Sequence, residues 1–264
     1  MINELKEFWS SYKNYSLHPE DEKYLGSNKD QFCLDITIDE LREKYGTDLK
    51  SDNTRESFLK DKFNKNKILT SLSVVPFFGD VENAKIYILM GNPGFHTGDY
   101  VDEIENKDYI NLIEQNLKLQ LKTFKSLHKN AINTGGYRYW SQKGRIPKIS
   151  KLLTELNSKD EEINYDFVKK SICIIESIAY HSCNKPDEEL FNLPSSKMTK
   201  RLVNEHVQQQ VDSGEAMCFV WRSVAFWQMK QSNNLLIRDP KKAQLSMFSN
   251  IEAKVMAEFL NNVF

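Results

Sequence analysis

The chain has 264 residues, of which 40% are hydrophobic and 28% are charged, and its formal net charge is −1. This length is enough to bury one substantial hydrophobic core or two small ones, and the composition is ordinary for a soluble globular protein. A net charge so close to zero does not by itself predict a highly charged partner.

The cysteines and the apolar runs argue against two classes of protein. The four cysteines show no C-x-x-C spacing, so we expect neither a zinc site nor a redox motif, and we expect no cofactor. No apolar run approaches the roughly 20 residues that a membrane span requires, and the first residues do not resemble a signal peptide. We therefore expect a cytoplasmic protein that binds no membrane, whose oligomeric state the sequence leaves open.

Residues 1–69 are rich in charge and poor in apolar runs, and they are predicted to form a helical N-terminal extension. A first amphipathic helix is indicated by apolar residues at helical spacing, namely Ile2, Leu5, Phe8, Trp9 and Tyr12. Two shorter helices are predicted over residues 38–45 and 58–63. This stretch is interpreted as an extension or lid on a domain that spans residues 70–264, rather than as a separate domain.

Four apolar runs after residue 73 are typical of buried strands. The first, residues 84–90, follows a short extended piece at 74–80 and is stopped by Gly91 and Pro93. The other three are residues 172–178, 216–221 and 235–237. Helical patterns fill the gaps, including one long helix predicted over 110–128 and others over 149–156, 202–211 and 251–260. Alternating strands and helices predict βαβ units and therefore an α/β fold with a mainly parallel sheet.

The loop Gly91-Asn92-Pro93-Gly94, called the Asn92 loop below, is the first candidate for a functional site. It follows a predicted strand, and ligands of parallel sheets bind outside the carboxyl ends of the strands. The glycines permit close backbone approach to a ligand, and the Asn92 amide can position a water or read a base edge. The alternative is an ordinary turn.

A basic stretch is the second candidate, because residues 115–154 contain no Asp or Glu. Four lysines fall at helical spacing and are predicted to form one stripe, namely Lys118, Lys122, Lys125 and Lys129. Arg138, Lys143 and Arg145 follow and are interleaved with aromatic residues. Basic side chains neutralise phosphates and aromatic rings stack on unpaired bases, so this stretch predicts nucleic-acid contact. The alternative is a solvated helix face followed by a loop.

Polar residues also follow the later strands. Tyr180 and His181 come after the second apolar run, where His181 could donate a proton; the alternative is a hydrogen-bonded structural histidine. Glu176 lies inside that run and is either catalytic or part of an ion pair. Arg222 follows the third run and could hold a phosphate or a carboxylate. A second loop that could bind the nucleic-acid backbone follows the last strand and contains Arg238, Lys241, Lys242 and Ser246.

Several common catalytic motifs do not occur in the sequence. The chain has no G-x-G-x-x-G fingerprint, no Walker A loop, no G-x-S-x-G elbow and no H-E-x-x-H. Their absence argues against dehydrogenases, P-loop ATPases, α/β-hydrolases and zincin proteases.

Taken together, residues 76–80 (Pro-Phe-Phe-Gly-Asp) and 84–94 (Ala-Lys-Ile-Tyr-Ile-Leu-Met-Gly-Asn-Pro-Gly) resemble the uracil-DNA glycosylase superfamily. Its mismatch-type members carry a similar strand followed by a Gly-x-Asn-Pro-Gly loop, and a looser likeness extends over residues 70–264. Met90 stands in the place of the loop's first glycine, and the family's second motif is not present. Members that act on modified bases, including phage-defence enzymes that remove hypermodified cytosines, resemble this divergent pattern at least as well.

The resemblance implies a three-layer α/β/α fold with a short, mainly parallel sheet. It also implies hydrolysis of the N-glycosidic bond of a flipped-out uracil-like or modified base, which leaves an abasic site in DNA. By that likeness Asn92 would position the attacking water, Phe95 would stack on the base and His181 would stabilise the departing base. Gly91, Pro93, Gly94, Tyr180 and Arg222 would line the substrate site, and residues 238–246 would hold the DNA backbone.

Two other functions stay open at this point. One is a nucleic-acid-binding module that keeps the fold but has lost the chemistry. The other is a hydrolase or nucleotide-processing enzyme that acts on small molecules, since a fold does not fix a function.

Overall fold

The computed structural model describes residues 1–61, 66–242 and 246–264. Its strands are β1 (Cys33–Leu34), β2 (Ile68–Leu69), β3 (Phe77–Phe78), β4 (Ile86–Met90), β5 (Ile172–Glu176), β6 (Met217–Val220) and β7 (Leu235–Ile237). Strands β3 to β7 form one sheet in the order β3-β5-β4-β6-β7, in which only β3 is antiparallel to its neighbour. Strands β1 and β2 pair in parallel outside it.

Fourteen α-helices occur in the described ranges. They are α1 (Ile2–Ser10), α2 (Pro19–Leu25), α3 (Lys29–Phe32), α4 (Ile38–Tyr45), α5 (Asp52–Lys60), α6 (Gly98–Ile104), α7 (Lys107–Leu117), α8 (Gly135–Trp140), α9 (Ile146–Asn157), α10 (Glu161–Ser171), α11 (Pro194–Leu202), α12 (Gln208–Asp212), α13 (Val224–Trp227) and α14 (Asn250–Val263). A π-helical turn, Val203–Val207, joins α11 to α12. None of these helices has the length and apolar character that crossing a bilayer requires.

The sheet is covered on both faces, which explains why its strands are continuous apolar runs. Tyr87 and Leu89 of β4 face a cluster built with α1, α2, α7, α11 and α12. Ile86 and Ile88, which point to the other side, face a cluster built with α8, α9, α10 and α14. Side chains alternate across a strand, so both halves of the runs in β4, β5 and β6 are buried, whereas Ile237 of the edge strand β7 is exposed. The predicted three-layer α/β/α fold with a mainly parallel sheet is confirmed.

The strand order creates a crevice where a ligand is expected. The chain passes from β4 to β5 on one side and then crosses to β6 on the other side of β4. The loops after β4 and β6 therefore diverge to opposite sides of the sheet, and ligands of such sheets bind at this switch point. The Asn92 loop follows β4 and Arg222 follows β6, so the two stand on either side of it.

The N-terminal extension packs into the same core as the rest of the chain. Leu5 and Trp9 of α1 are buried in the cluster that contains Tyr87 and Leu89. Helix α1 and helix α4 agree with the sequence predictions. Helix α5 ends at Lys60, earlier than the helix predicted over 58–63, of which residues 62 and 63 lie outside the described ranges.

The long helix predicted over 110–128 is wrong. Helix α7 ends at Leu117, and Leu119 takes a left-handed conformation with φ of 58°. The chain then continues to a 3₁₀ turn at Lys125–Leu127. Leu121 and Phe124 are buried from this irregular path, so apolar spacing alone did not distinguish it from a helix. The lysines at 118–129 consequently do not share one helical face.

Candidate functional site

Three loops meet at the carboxyl end of the sheet. The carbonyl of Gly91 accepts a hydrogen bond from the Ile178 N–H at 2.9 Å and another from the hydroxyl of Ser177. The Ser177 hydroxyl also lies 3.4 Å from the hydroxyl of Ser223, which follows β6. A Cβ at position 91 would stand 3.4 Å from Ser223 Oγ, so glycine leaves room for this contact. The loops after β4, β5 and β6 are thus joined through neutral polar groups.

The Asn92 side chain is held in one orientation. Its Nδ2 donates to the carbonyl of Pro93 at 2.9 Å and to the hydroxyl of Ser182 at 2.8 Å. Ser182 in turn donates to the carbonyl of Asn184 at 2.5 Å. A carbonyl can only accept, so these partners fix which end of the amide is nitrogen. Asn92 Oδ1 has no hydrogen-bond donor among the described residues and is free to accept one from a water or a ligand.

Gly94 offers the open side of the loop. It forms an isolated parallel bridge with Ser182, which aligns the Asn92 loop with the chain after β5. Gly94 is exposed, and a Cβ built on it would meet no atom within 4 Å. The backbone at Gly94 is therefore open on this side, and the predicted close approach of a ligand stays a prediction.

His181 is buried with both ring nitrogens turned inward. Its Nδ1 lies 2.7 Å from the carbonyl oxygen of Gly94, so Nδ1 carries the proton and donates it. Its Nε2 is buried without a hydrogen bond, 3.7 Å from Oε1 of Glu103. Burial lowers the pKa of His181 to about 4, opposed by the bond to Gly94, so the ring is neutral at neutral pH. In this arrangement His181 orders the loop but presents no nitrogen to solvent.

Glu176 and Arg222 carry polar atoms that have no partner. Glu176 is 3% exposed, stands opposite Met90 in the β4–β5 register, and its Oε2 is buried without a hydrogen bond. Burial raises the pKa of Glu176 to about 8, although the charge of Arg222 acts in the opposite direction. The Nε of Arg222 is likewise buried and unbonded, and its guanidinium forms no ion pair with any described residue. The predicted Glu176 ion pair is therefore not formed.

Two of the predicted substrate-binding residues are deeply buried. Phe95 packs against Phe58 and Tyr100 at ring-centroid distances of 5.1 and 5.9 Å, in a small third core with α4 and α5. Tyr180 donates to the carboxylate of Asp21 at 2.7 Å and accepts from the N–H of His18 at 2.9 Å. Neither ring is available to a ligand in this arrangement, and a stacking role for Phe95 stays a prediction.

The predicted lysine stripe does not face the Asn92 loop. Lys122 pairs with Asp80 at 3.1 Å and with Glu82 at 3.5 Å, at the amino end of the sheet. Lys118 pairs with Glu114 at 3.4 Å. Lys125 is 1% exposed, and its ammonium lies over the rings of Phe78 and Tyr109. The predicted stripe is wrong, because Lys118 and Lys122 neutralise nearby carboxylates and Lys125 is buried.

Two predicted DNA-binding arginines are also buried. Arg145 donates to the carbonyl of Ser246 at 2.7 Å, to the carbonyl of Tyr139 and to the side chain of Gln142. Arg238 forms a bidentate ion pair with Glu252 and donates to the carbonyl of Met247 at 3.1 Å. They support the backbone of Ser246 and Met247 from inside, which argues against a phosphate contact by either arginine. The remaining predicted contacts are exposed, namely Arg138, Lys143, Lys241, Lys242 and Ser246.

A cluster of acidic side chains that the sequence analysis did not assign lies on α6, beside His181. Asp99 accepts the His96 N–H at 2.7 Å, and Glu103 accepts the Ser73 N–H at 2.8 Å. Burial raises the pKa of each carboxyl to about 7. The same burial lowers the pKa of Lys125 to about 8, opposed by the charges of Glu103 and Asp99. The one sequence signal for this cluster is the presence of three acidic residues within positions 99–103, a few residues after the Asn92 loop.

Among the described residues, no three His, Cys, Asp or Glu side chains are grouped so that they could hold a metal ion. The chain matches no protein-family model, no curated protein and no solved structure.

Proposed function

We propose that the protein is a DNA glycosylase that hydrolyses the N-glycosidic bond of a flipped-out base and leaves an abasic site. The observation that carries the proposal is a pair of buried, unbonded polar atoms at the carboxyl ends of β5 and β6: Glu176 Oε2 and Arg222 Nε. Buried polar atoms are almost always hydrogen-bonded, and each exception asks for an explanation, of which a catalytic role is one. Two of the seven such atoms in the described ranges belong to this pair.

The chemistry of these groups suits glycosidic cleavage. Negative charge grows on the departing base, so donors aimed at the base stabilise the transition state. Glu176, protonated because burial raises its pKa to about 8, and Arg222 both supply such donors. Asn92 supplies a fixed acceptor, Oδ1, for a proton of the attacking water. Asn92 would hold the water, and Glu176 and Arg222 would donate to the base. This assignment of roles supports direct hydrolysis without a covalent intermediate.

The last loop also fits a partner that is flipped out of a duplex. Met247 is 48% exposed, while the carbonyls of Ser246 and Met247 accept hydrogen bonds from the buried Arg145 and Arg238, and that of Phe248 from the half-buried Lys148. Apolar side chains that enter a base stack are typical of proteins that distort DNA. The bonded backbone of residues 246–248 and the exposed Met247 therefore support the proposal that Met247 fills the vacated stack.

The base itself is proposed from the sequence resemblance alone. A uracil-like base and a modified cytosine both carry the hydrogen-bonding edge that a protonated carboxyl and a guanidinium can read. Removal of a hypermodified cytosine would place the protein in antiviral defence, and this role is part of the proposal. The bare Gly94 side of the loop leaves space for a substituent on the base.

One observation favours a second candidate, a DNA-binding module without catalysis. His181, expected to stabilise the departing base, has one nitrogen bonded to Gly94 and the other directed at Glu103. If the site needs a histidine donor, its chemistry is lost in this arrangement. Binding without turnover is the outcome that this candidate predicts.

The test is incubation of the purified protein with DNAs that contain uracil, a mismatch or a hypermodified cytosine, followed by alkali to reveal abasic sites. We expect product from one of these DNAs, and a loss on the order of 100-fold in rate for Asn92→Ala. Asn83→Ala is the matched control, because Asn83 is exposed at the opposite edge of the sheet. Tight binding without product would favour the second candidate, and neither binding nor product would contradict both.

A further inference from the structure

Three separate elements meet at His96, just beyond Gly94. Asp52 at the start of α5 lies 3.8 Å from His96 Nε2. The N–H of His96 is bonded to Asp99, and a Cβ on Gly135 at the start of α8 would stand 2.7 Å from Asp99 Oδ1. Helix α5, the end of the Asn92 loop and helix α8 therefore share one corner of the molecule.

Two arginines bring positive charge to this corner. Arg55 lies one turn after Asp52 on α5, and Arg138 lies on α8. Burial lowers the pKa of His96, and the charges of Arg55 and Arg138 lower it further, more than Asp52 can offset. Arg55 also counteracts the burial that raises the pKa of Cys183 to about 12. Cys183 follows Ser182, so the charge of Arg55 acts on both sides of the Gly94–Ser182 bridge.

Neither arginine forms an ion pair with a carboxylate of the described residues. The Arg55 side chain forms no hydrogen bond or ion pair with any described residue, and Arg138 donates only to the neutral carbonyl of Asn133, at 2.6 Å. Arg138 is exposed and Arg55 is half-buried. The nearby acidic side chains are Asp52, which is 91% exposed, Glu56 next to Arg55 on α5, and Asp99, whose pKa the charge of Arg138 acts to lower. Guanidinium groups that form no ion pair beside an open loop are suited to phosphate, which they can bind in a bidentate manner.

We propose that Arg55, His96 and Arg138 form a phosphate-binding surface beside the Asn92 loop, through which the N-terminal extension grips the DNA backbone. This inference rests on the proposed function, since it takes DNA as the partner. The proposed surface gives the N-terminal extension, residues 1–69, a role in DNA binding. The basic stretch at residues 115–154 alone predicts no such role for the extension. The surface holds the phosphates next to the flipped nucleotide while the Asn92 loop holds the base.

The size of the effect follows from counterion release. Each phosphate neutralised on duplex DNA contributes about 0.9 to the slope of log K against log salt, and about 0.7 on a single strand. Removing one contact is therefore expected to weaken binding about 8-fold at 0.1 M salt, with the difference vanishing as salt approaches 1 M. The loss should be the same for DNAs of different sequence, because phosphate contacts carry no base information.

The experiment is fluorescence anisotropy of labelled duplex and single-stranded DNA across a salt series, in an Asn92→Ala background so that no turnover interferes. Arg55→Gln should reduce the slope by about 0.9 on duplex DNA, and Asp52→Asn, one turn away, should strengthen binding instead. Arg42→Gln is the matched control, because Arg42 lies on α4 and is paired with Glu105 at 2.5 Å. Thermal unfolding checks that each variant is folded.

Opposite changes in Arg55→Gln and Asp52→Asn, with Arg42→Gln unchanged, would establish the surface. An unchanged slope in Arg55→Gln, or an equal loss in Arg42→Gln, would overturn it while leaving DNA binding itself intact. Absence of DNA binding by the parent protein would instead remove the proposed function on which the inference rests.

Discussion

Replacing Arg238 should destabilise the fold rather than weaken DNA binding. The Arg238 side chain is 1% exposed and donates to Glu252 at 2.7 and 2.5 Å. Its guanidinium also lies 4.3 Å from the ring centroid of Trp221. Glu252 accepts the N–H of Ser249 as part of the capping box of α14, so the ion pair also orders the start of that helix. Arg238→Met keeps the aliphatic volume but leaves the Glu252 carboxylate without its cation.

The expected loss can be worked from this geometry. Removing one partner of a buried ion pair costs about 3–5 kcal/mol, and the lower value applies because the Glu252 side chain is 12% exposed. At roughly 2–4 °C per kcal/mol for a chain of this size, Tm should fall by about 6–12 °C. Burial opposes ionisation of Glu252, but bonds from Arg238 and Ser249 outweigh it and lower its pKa. The pair therefore stabilises above the unfolded pKa, and the difference between variant and wild type should narrow below about pH 4.

The assay is urea unfolding of wild type, Arg238→Met, Glu252→Gln and the double variant, which isolates the pairwise coupling. Lys241→Gln on the same loop is the control and should change stability by no more than about 0.5 kcal/mol, because Lys241 is exposed. The reasoning is refuted if Arg238→Met unfolds within about 1 kcal/mol of wild type while the salt slope of DNA binding falls by about 1. That result would make Arg238 a phosphate contact.

Three further changes test other parts of the structure. Burial raises the pKa of Glu176 to about 8, so the protonated form of this carboxyl is lost as the pH rises through that value, and kcat/KM should fall there. A pH-rate profile of Glu176→Gln, whose side chain is always neutral, should not show this fall. Asp21→Asn should cost about 2 kcal/mol in urea unfolding, since the amide keeps only one of the two buried oxygens that accept from Tyr180 and from the N–H of Ser195; additivity with Tyr180→Phe would contradict a direct bond. Replacing Lys118 and Lys122 by Gln should leave the salt slope of DNA binding unchanged, and a reduced slope would mean that DNA also reaches the amino end of the sheet.

Much of the fold was predictable because buried strands leave a strong local signal. The last strand lies where the apolar run predicted it, at Leu235–Ile237, and helix α4 spans the predicted residues 38–45. The apolar run at 172–178 predicted a longer strand than the observed Ile172–Glu176. The chain stays buried after the hydrogen-bonded part of the strand ends, so the apolar run continues beyond it. The prediction of a helix at 110–128 was wrong for a related reason. Periodic apolar residues indicate which side chains are buried, but they do not determine the backbone conformation.

The place of the Asn92 loop in the sheet was predictable, but the surroundings of the candidate residues were not. The turn residues of the Asn92 loop correctly marked the end of β4 at the crevice of the sheet. The sequence shows which side chains are charged but not how deeply each one is buried. Lys125 and Arg145 were therefore expected at the surface, but both are buried. The unbonded state of Glu176 depends on neighbours from other strands, and no local pattern encodes it.

The packing of the N-terminal extension has a consequence for expression and protein engineering. Trp9 is part of the central core, Asp21 is bonded to Tyr180, and the N–H of Leu69 donates to the carbonyl of His181 at 2.8 Å. A fragment cut at residue 70 would uncover apolar surface and release the chain that carries His181. Shortened versions designed to isolate the sheet are therefore expected to aggregate, and a minimal working unit must keep the first helix.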